Sequence, residues 1–219
     1  VYPGAQIPFG GIQISPDTDS RFYDAASGYK YNHLTLMGFS LTHLSGTGIP
    51  DLGDFLFIPG TGEMKLEPGT HEDPDQGYRS RYSHDKEWAS PNYYAVELAD
   101  YGVKAEMTSG VRSGMFRFTY PESDNAFIMI DMNHTLWQSC EWSNLRMIND
   151  STITGYKLVK GWGPERHVYF TATFSKKLTG LRFVQDKKPV IYNTSRFRSS
   201  YEAWGKNLMA CISFDTKAG

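Results

Sequence analysis

Between Gly38 and Asp54 the chain reads Gly38-Phe39-Ser40-Leu41-Thr42-His43-Leu44-Ser45-Gly46-Thr47-Gly48-Ile49-Pro50-Asp51-Leu52-Gly53-Asp54, so small and hydroxylated residues surround one histidine and two acids. Glycines let a backbone turn sharply or come close to a ligand. Ser45, Thr47, Asp51 and Asp54 supply the directional hydrogen-bonding groups that sugar hydroxyls require. The competing reading is a tight interstrand crossover capped by its own hydroxyls and carboxylates. A phosphate-binding reading is weaker, because Ser-Gly-Thr-Gly lacks the Lys-Ser/Thr of a phosphate loop and no helix follows it. The six histidines His33, His43, His71, His84, His134 and His167 include no pair at i,i+2 or i,i+4, so spacing supports no transition-metal site. Tyr29, Tyr31, Trp88, Trp137, Trp142 and Trp162 lie beside polar residues, the setting in which a ring can pack on the C–H face of a pyranose. Most of them should belong to the core or to sheet faces. Trp88, between Glu87 and Ala89 in a stretch that reads as an exposed loop, is the expected exception.

The elements that must position these groups read as strands. Apolar residues alternate with a period of two far more than they follow a helical spacing. Val168, Phe170, Ala172 and Phe174 should face one side of a strand, and Leu208, Ala210, Ile212 and Phe214 one side of another. Tyr93 to Leu98 and Val103 to Met107, joined by Asp100-Tyr101-Gly102, predict an antiparallel hairpin. Further strands are predicted at Ala5 to Ile14, Phe55 to Ile58, Met115 to Tyr120, Phe127 to Met132 and Ile153 to Val159. Gly and Pro, 21 and 11 residues, interrupt every longer stretch, so little helix is expected. Asp17 to Tyr31 and His71 to Pro91 read as long loops. The predicted architecture is an all-β antiparallel sandwich with one core.

A length of 219 residues suits one large all-β domain. With 22 Lys plus Arg against 24 Asp plus Glu, no net field favours nucleic acid or an anionic membrane, and a neutral ligand such as a sugar fits the balance. The longest apolar runs are too short to cross a bilayer core of roughly 30 Å. Cys140 and Cys211 are too few for a disulfide framework and read as buried thiols. The chain opens on Val1 without a leader and stops at Lys217-Ala218-Gly219 directly after a strand-like segment, which reads as a trimmed boundary.

Taken in order, Tyr2-Pro3-Gly4-Ala5-Gln6, Pro8-Phe9-Gly10, Ser15-Pro16-Asp17-Thr18, Ser27-Gly28-Tyr29, Thr42-His43-Leu44-Ser45-Gly46-Thr47-Gly48 and Asp51-Leu52-Gly53-Asp54 resemble the opening of glycoside hydrolase family 92. Tyr93-Tyr94-Ala95-Val96-Glu97-Leu98, Lys160-Gly161-Trp162 and Val168-Tyr169-Phe170 continue the likeness, with Leu41 departing where the family often has His. The resemblance implies an N-terminal β-sandwich domain over residues 1–219, followed in the whole protein by an (α/α) barrel. It implies a calcium-dependent, inverting exo-α-mannosidase that acts on terminal mannose of N-glycans or mannan, in the periplasm or on the surface of a Gram-negative bacterium. On this implication the catalytic carboxylates and the calcium ligands lie in the barrel, and this chain holds neither a catalytic residue nor a metal. Its share would be one wall of the substrate cleft, with Arg21, Tyr29, His43, Ser45, Gly46, Thr47, Asp51, Asp54 and Trp88 as candidate sugar contacts. The His43 to Asp54 loop is expected to be exposed and to face the barrel. The rival reading is a free-standing carbohydrate-binding or adhesion module.

Overall fold

A computed structural model describes residues 2–21, 24–191 and 201–217. In chain order the first strands are β1 (Ala5–Gln6), β2 (Gln13–Asp17), β3 (Thr35–Leu36), β4 (Gly38–Ser40), β5 (Leu56–Thr61), β6 (Ser80–Arg81) and β7 (Glu87–Ser90). They are followed by β8 (Tyr93–Leu98), β9 (Val103–Ser109), β10 (Gly114–Thr119), β11 (Ala126–Asp131), β12 (Ser139–Asn149) and β13 (Thr152–Lys160). The last are β14 (Arg166–Thr173), β15 (Gly180–Gln185), β16 (Lys188–Pro189), β17 (Glu202–Gly205) and β18 (Leu208–Phe214). Two single-turn 3-10 helices, Pro74–Gln76 and His84–Lys86, are the helical structure among the described residues.

One sheet of eight strands runs in the order β1-β2-β4-β5-β11-β18-β15-β16, and two four-stranded sheets, β10-β9-β8-β7 and β14-β13-β12-β17, lie against it. Both cover the same face. Phe39 and Phe57 are register partners on the large sheet, and the Phe116 ring of β10 lies 5.1 Å from Phe57. From the other small sheet, the Phe170 ring of β14 lies 4.6 Å from Phe55 and 6.1 Å from Phe57. The opposite face buries Leu56, Ile58, Phe127, Met129, Met209 and Cys211 beneath Met64, Leu66, Tyr78 and Tyr101. The expected single core is therefore three clusters, two side by side on one face of the large sheet and one on the other, tied together by shared side chains such as Leu41, Phe116 and Tyr101. Each fully buried aromatic contributes heavily to this packing; removing the Phe57 ring should cost about 3 to 5 kcal/mol.

The all-β sandwich holds, and several strand bounds shift for identifiable reasons. Ala5 to Ile14 is not one strand. Pro8-Phe9-Gly10-Gly11 breaks the alternation, Gly10 N closes a turn on Ile7 O, and β1 folds back to pair Ala5 with Ile14. β18 does not alternate either: between β11 and β15 at the centre of the large sheet it is buried on both faces. β14 does alternate as expected, with its outward residues exposed. Part of the expected His71 to Pro91 loop is structured as the two 3-10 turns, β6 and β7. Cys140 and Cys211 are free, buried thiols. Among the described residues no helix is long and apolar enough to cross a membrane.

Candidate functional site

The base of the His43 to Asp54 loop is zipped shut by its own backbone. Leu41 N donates to Asp54 O at 2.9 Å and Gly53 N to Thr42 O at 2.8 Å, while His43 and Leu52 form an isolated bridge. Leu52 and Gly53 both sit at positive φ, 74° and 76°. A Cβ at Gly53 would lie 2.8 Å from Leu136 N, so glycine is required for both conformation and contact.

Beneath this base lies a chain of buried charges. Asp17, fully buried, accepts from His43 Nε2 on one oxygen and from His134 Nε2 on the other, each at 2.7 Å. His43 Nδ1 lies 2.7 Å from Gln13 O, so both its ring nitrogens face acceptors. Burial alone would push the Asp17 carboxyl up, but the field of His43 and the hydrogen bonds from both imidazoles outweigh it and hold the group well below the usual carboxylate range. Gly28 caps the pair: it sits at φ 82°, and a Cβ there would fall 2.0 Å from Asp17 Oδ1.

The chain continues through Lys157, whose side chain is fully buried. Its Nζ donates to His134 O at 2.7 Å. It also faces Asp54 Oδ1 at 3.1 Å, off the line of a hydrogen bond, so that hold is coulombic. The other oxygen of Asp54 accepts from Thr42 Oγ1 at 2.7 Å and from Arg166 Nη1. Burial opposes ionisation of Asp54, and the two cations outweigh it and lower its pKa. Arg166 Nη2 then reaches within 3.9 Å of Asp51, which also accepts from the backbone N–H of Leu52 and Trp162.

This arrangement divides the predicted loop in two. Ser45, Gly46 and Thr47 are exposed, together with Gly48 and Ile49, as expected for a contact surface. His43, Asp51 and Asp54 are not exposed; each is at least nine-tenths buried, and their polar atoms are turned inward onto partners. The expectation of an exposed loop fails for them because a buried charge must be paired, and the pairing draws them under the tip. At the tip, Thr47 Oγ1 donates to Ile49 O at 2.9 Å, while nothing lies within 4 Å of a Cβ at Gly46 or Gly48. The tip is open and its base is fixed.

The remaining candidates are dispersed. Arg21 grips Asp19 through Nε and Nη2, at 2.9 and 2.6 Å. The Tyr29 hydroxyl donates to Glu87, which also receives the Tyr94 hydroxyl at 2.7 Å. Trp88 is 65% exposed as expected, but it stands on edge strand β7 rather than in a loop, register partner of Ala95 on the outer face of its sheet. Sequence reasoning missed Asp17, His134, Lys157 and Arg166 as parts of the site. Lys157 did leave a signal, because it falls at an inward position of the alternating Ile153, Gly155, Lys157, Val159 series. His134 left none.

A cleft of about 890 Å³ opens beside the loop base, with Tyr78, Asp131, His134 and Trp137 among its walls. Elsewhere, Asp19, His33 and His71 each bring one ligand-type atom within 4.8 Å of the others. The spacing argument missed this group because the fold, not one helix or strand, brings the residues together. Two imidazoles and a carboxylate held by arginine do not suit calcium, which takes six to eight oxygen ligands.

The sequence model of the glycosyl hydrolase family 92 N-terminal domain matches residues 1–219. No curated protein sequence matches the chain. Among solved structures, that of the family 92 glycosyl hydrolase CcMan5 is similar in fold, with a TM-score of 0.77 at 23% identity. The likeness covers 98% of this chain and 28% of that one.

Proposed function

This chain belongs to glycosyl hydrolase family 92 as its N-terminal domain, and from that premise we propose that it forms one wall of the substrate cleft of an exo-α-mannosidase and leaves the acid–base chemistry to another domain of the same protein. The observation that carries this reading is the state of the two acids in the glycine-rich loop. An inverting glycosidase needs a protonated acid and a carboxylate free to activate water, roughly 6.5 to 9.5 Å apart. Asp54 is committed to Lys157 and Arg166, and Asp51 to backbone N–H groups and the same arginine. A carboxylate held ionised between two cations is a poor proton donor. What remains for ligand is the tip, Ser45 to Ile49, presented on a base that cannot shift without breaking buried ion pairs.

The substrate in this proposal is a terminal mannose of an N-glycan or mannan, and the protein works in the periplasm or at the surface of a Gram-negative bacterium. Calcium belongs to the partner domain, where it would bind sugar hydroxyls. The test compares this chain with a longer family protein that contains it, on an aryl α-mannoside. The longer protein should turn over and the chain alone should not; comparable rates from both would defeat the proposal.

One observation favours the rival, a free-standing sugar-binding module. Trp204, Asn144, Tyr156 and Tyr169 are successive register partners across β17, β12, β13 and β14. Trp204 and Tyr169 are 53% and 70% exposed, and the Tyr156 and Tyr169 rings stand 4.8 Å apart. Such an outward aromatic row could stack sugar rings. Mannan binding by the chain alone that is lost in Trp204→Ala would favour this rival.

A further inference from the structure

Asp19 follows β2, His33 precedes β3, and His71 lies in the connection between β5 and β6. His71 Nε2 is 3.4 Å from Asp19 Oδ2, and although buried it has no hydrogen-bond partner. The His33 and His71 rings are 3.8 Å apart. The other nitrogen of each ring is anchored: His71 Nδ1 lies 2.8 Å from Thr35 Oγ1, and His33 Nδ1 3.1 Å from Thr18 Oγ1.

The Thr18 hydroxyl acts as an acceptor toward His33, and the Thr35 hydroxyl has a lone pair open to His71. Thr18 Oγ1 receives Lys30 N at 2.9 Å and turns its own hydrogen to Gly28 O. Thr35 Oγ1 receives Arg79 Nη1 at 3.3 Å. His33 therefore donates from Nδ1 and keeps a lone pair on Nε2, and the same tautomer at His71, with Nδ1–H turned to the free lone pair of Thr35 Oγ1, is the one in which an outer-sphere oxygen orients a metal-binding histidine. Ligand atoms on a tetrahedral zinc ion stand roughly 3.3 Å apart, which is close to the His71 to Asp19 separation.

We propose that Asp19, His33 and His71 form a binding site for a zinc-class divalent cation, with two imidazole nitrogens, one carboxylate oxygen and a fourth position left for water or a ligand oxygen. The donor set is nitrogen-rich, as zinc prefers and calcium does not. Arg21 now occupies the carboxylate, and its side chain is 63% exposed, so it is free to swing into solvent when a metal takes its place. Arg79 keeps its bonds to Thr18 O and Thr35 and braces the outer shell. The assignment does not depend on the mannosidase proposal.

The test is isothermal titration of the whole chain, purified without a histidine tag, with Zn²⁺, alongside the visible absorption of Co²⁺ bound in the same place. One equivalent of zinc should bind, and Co²⁺ should show the intense bands of a tetrahedral nitrogen–oxygen site. His71→Ala and His33→Ala should each weaken zinc binding by at least about 10-fold, and Thr35→Val by about 10-fold or more through loss of the orienting oxygen. Arg21→Ala should tighten binding several-fold, because it frees the carboxylate and removes a positive charge. Should His71→Ala fail to fold, His71→Gln is the variant to read. Absence of stoichiometric binding, unchanged affinity in the histidine variants, or an Arg21→Ala variant that binds no tighter would each overturn the site.

Discussion

Replacing Lys157 with Met removes a cation from the centre of the buried network while keeping the length of the side chain. In the native structure its Nζ stands 3.1 Å from Asp54 Oδ1 with both side chains fully buried, and donates to His134 O at 2.7 Å. Removing one partner of a buried pair costs about 3 to 5 kcal/mol, because the other charge is left without its counterion. The orphaned His134 carbonyl adds about 1 to 3 kcal/mol. Against this, Asp54 keeps Thr42 and Arg166, whose side chain is 27% exposed and so only partly desolvated. The net expectation is a loss of about 3 to 5 kcal/mol. For a protein of this size each kcal/mol moves the melting temperature by about 2 to 4 °C, so Tm should fall by about 6 to 20 °C. Urea unfolding followed by near-ultraviolet circular dichroism measures the loss directly, with an unchanged m-value showing that the native fold is retained. Asp54→Asn in the Lys157→Met background should cost less than the sum of the two single variants by about 1 kcal/mol or more. A single-variant loss below about 1 kcal/mol, or a strictly additive double variant, would show that the buried ion pair does not hold this loop.

Gly28→Ala should destabilise by about 3 kcal/mol or more, since a methyl at that positive φ meets the Asp17 carboxylate; a urea midpoint equal to the parent's would contradict the packing. Acid should loosen the fold through the same groups. Asp17 and Asp54 have folded pKa values below their ordinary 3.8, so below about pH 4 the unfolded state binds more protons and stability falls as pH drops. Asp17→Asn should flatten that slope between pH 5 and 3, roughly the window in which the unfolded carboxyl titrates. In a longer active protein, Thr47→Val should lower kcat/KM by about 10-fold with Tm unmoved, whereas His43→Ala should lower Tm by several degrees, each reflecting about 1 to 3 kcal/mol lost in a different place. Equal melting of His43→Ala and the parent would return His43 to the exposed surface.

The sandwich was legible because strands such as β13 and β14 obey the period of two, and the bounds of β8 and β18 match Tyr93 to Leu98 and Leu208 to Phe214, although β18 is buried on both faces. β12 was not, because register shifts at Cys140/Trp142 and Met147/Asn149 break its alternation. The composition of the loop announced a site, yet composition cannot tell a carboxylate that reaches outward from one that pairs inward. That choice was made by Lys157 and Arg166, more than 100 residues away, as the 112-residue separation of Arg166 and Asp54 shows. The Asp19, His33 and His71 group was hidden for a similar reason, since it depends on where β2, β3 and the β5 to β6 connection cross in space.

The placement of β18 bears on how the molecule is made. It is the last strand in the described chain, but it lies between β11 and β15, pairing Ala126 with Phe214 on one side and Gly180 with Ser213 on the other. A ribosome releases the residues from β1 to β17 before it supplies the strand that joins the two parts of the large sheet. Until then β11 and β15 present unpaired edges, flanked on both faces by apolar side chains, of the kind that other chains can extend. Nascent chains interrupted before Leu208 should therefore be targets for chaperones or aggregation, and arrival of the seven residues of β18 should close the sheet.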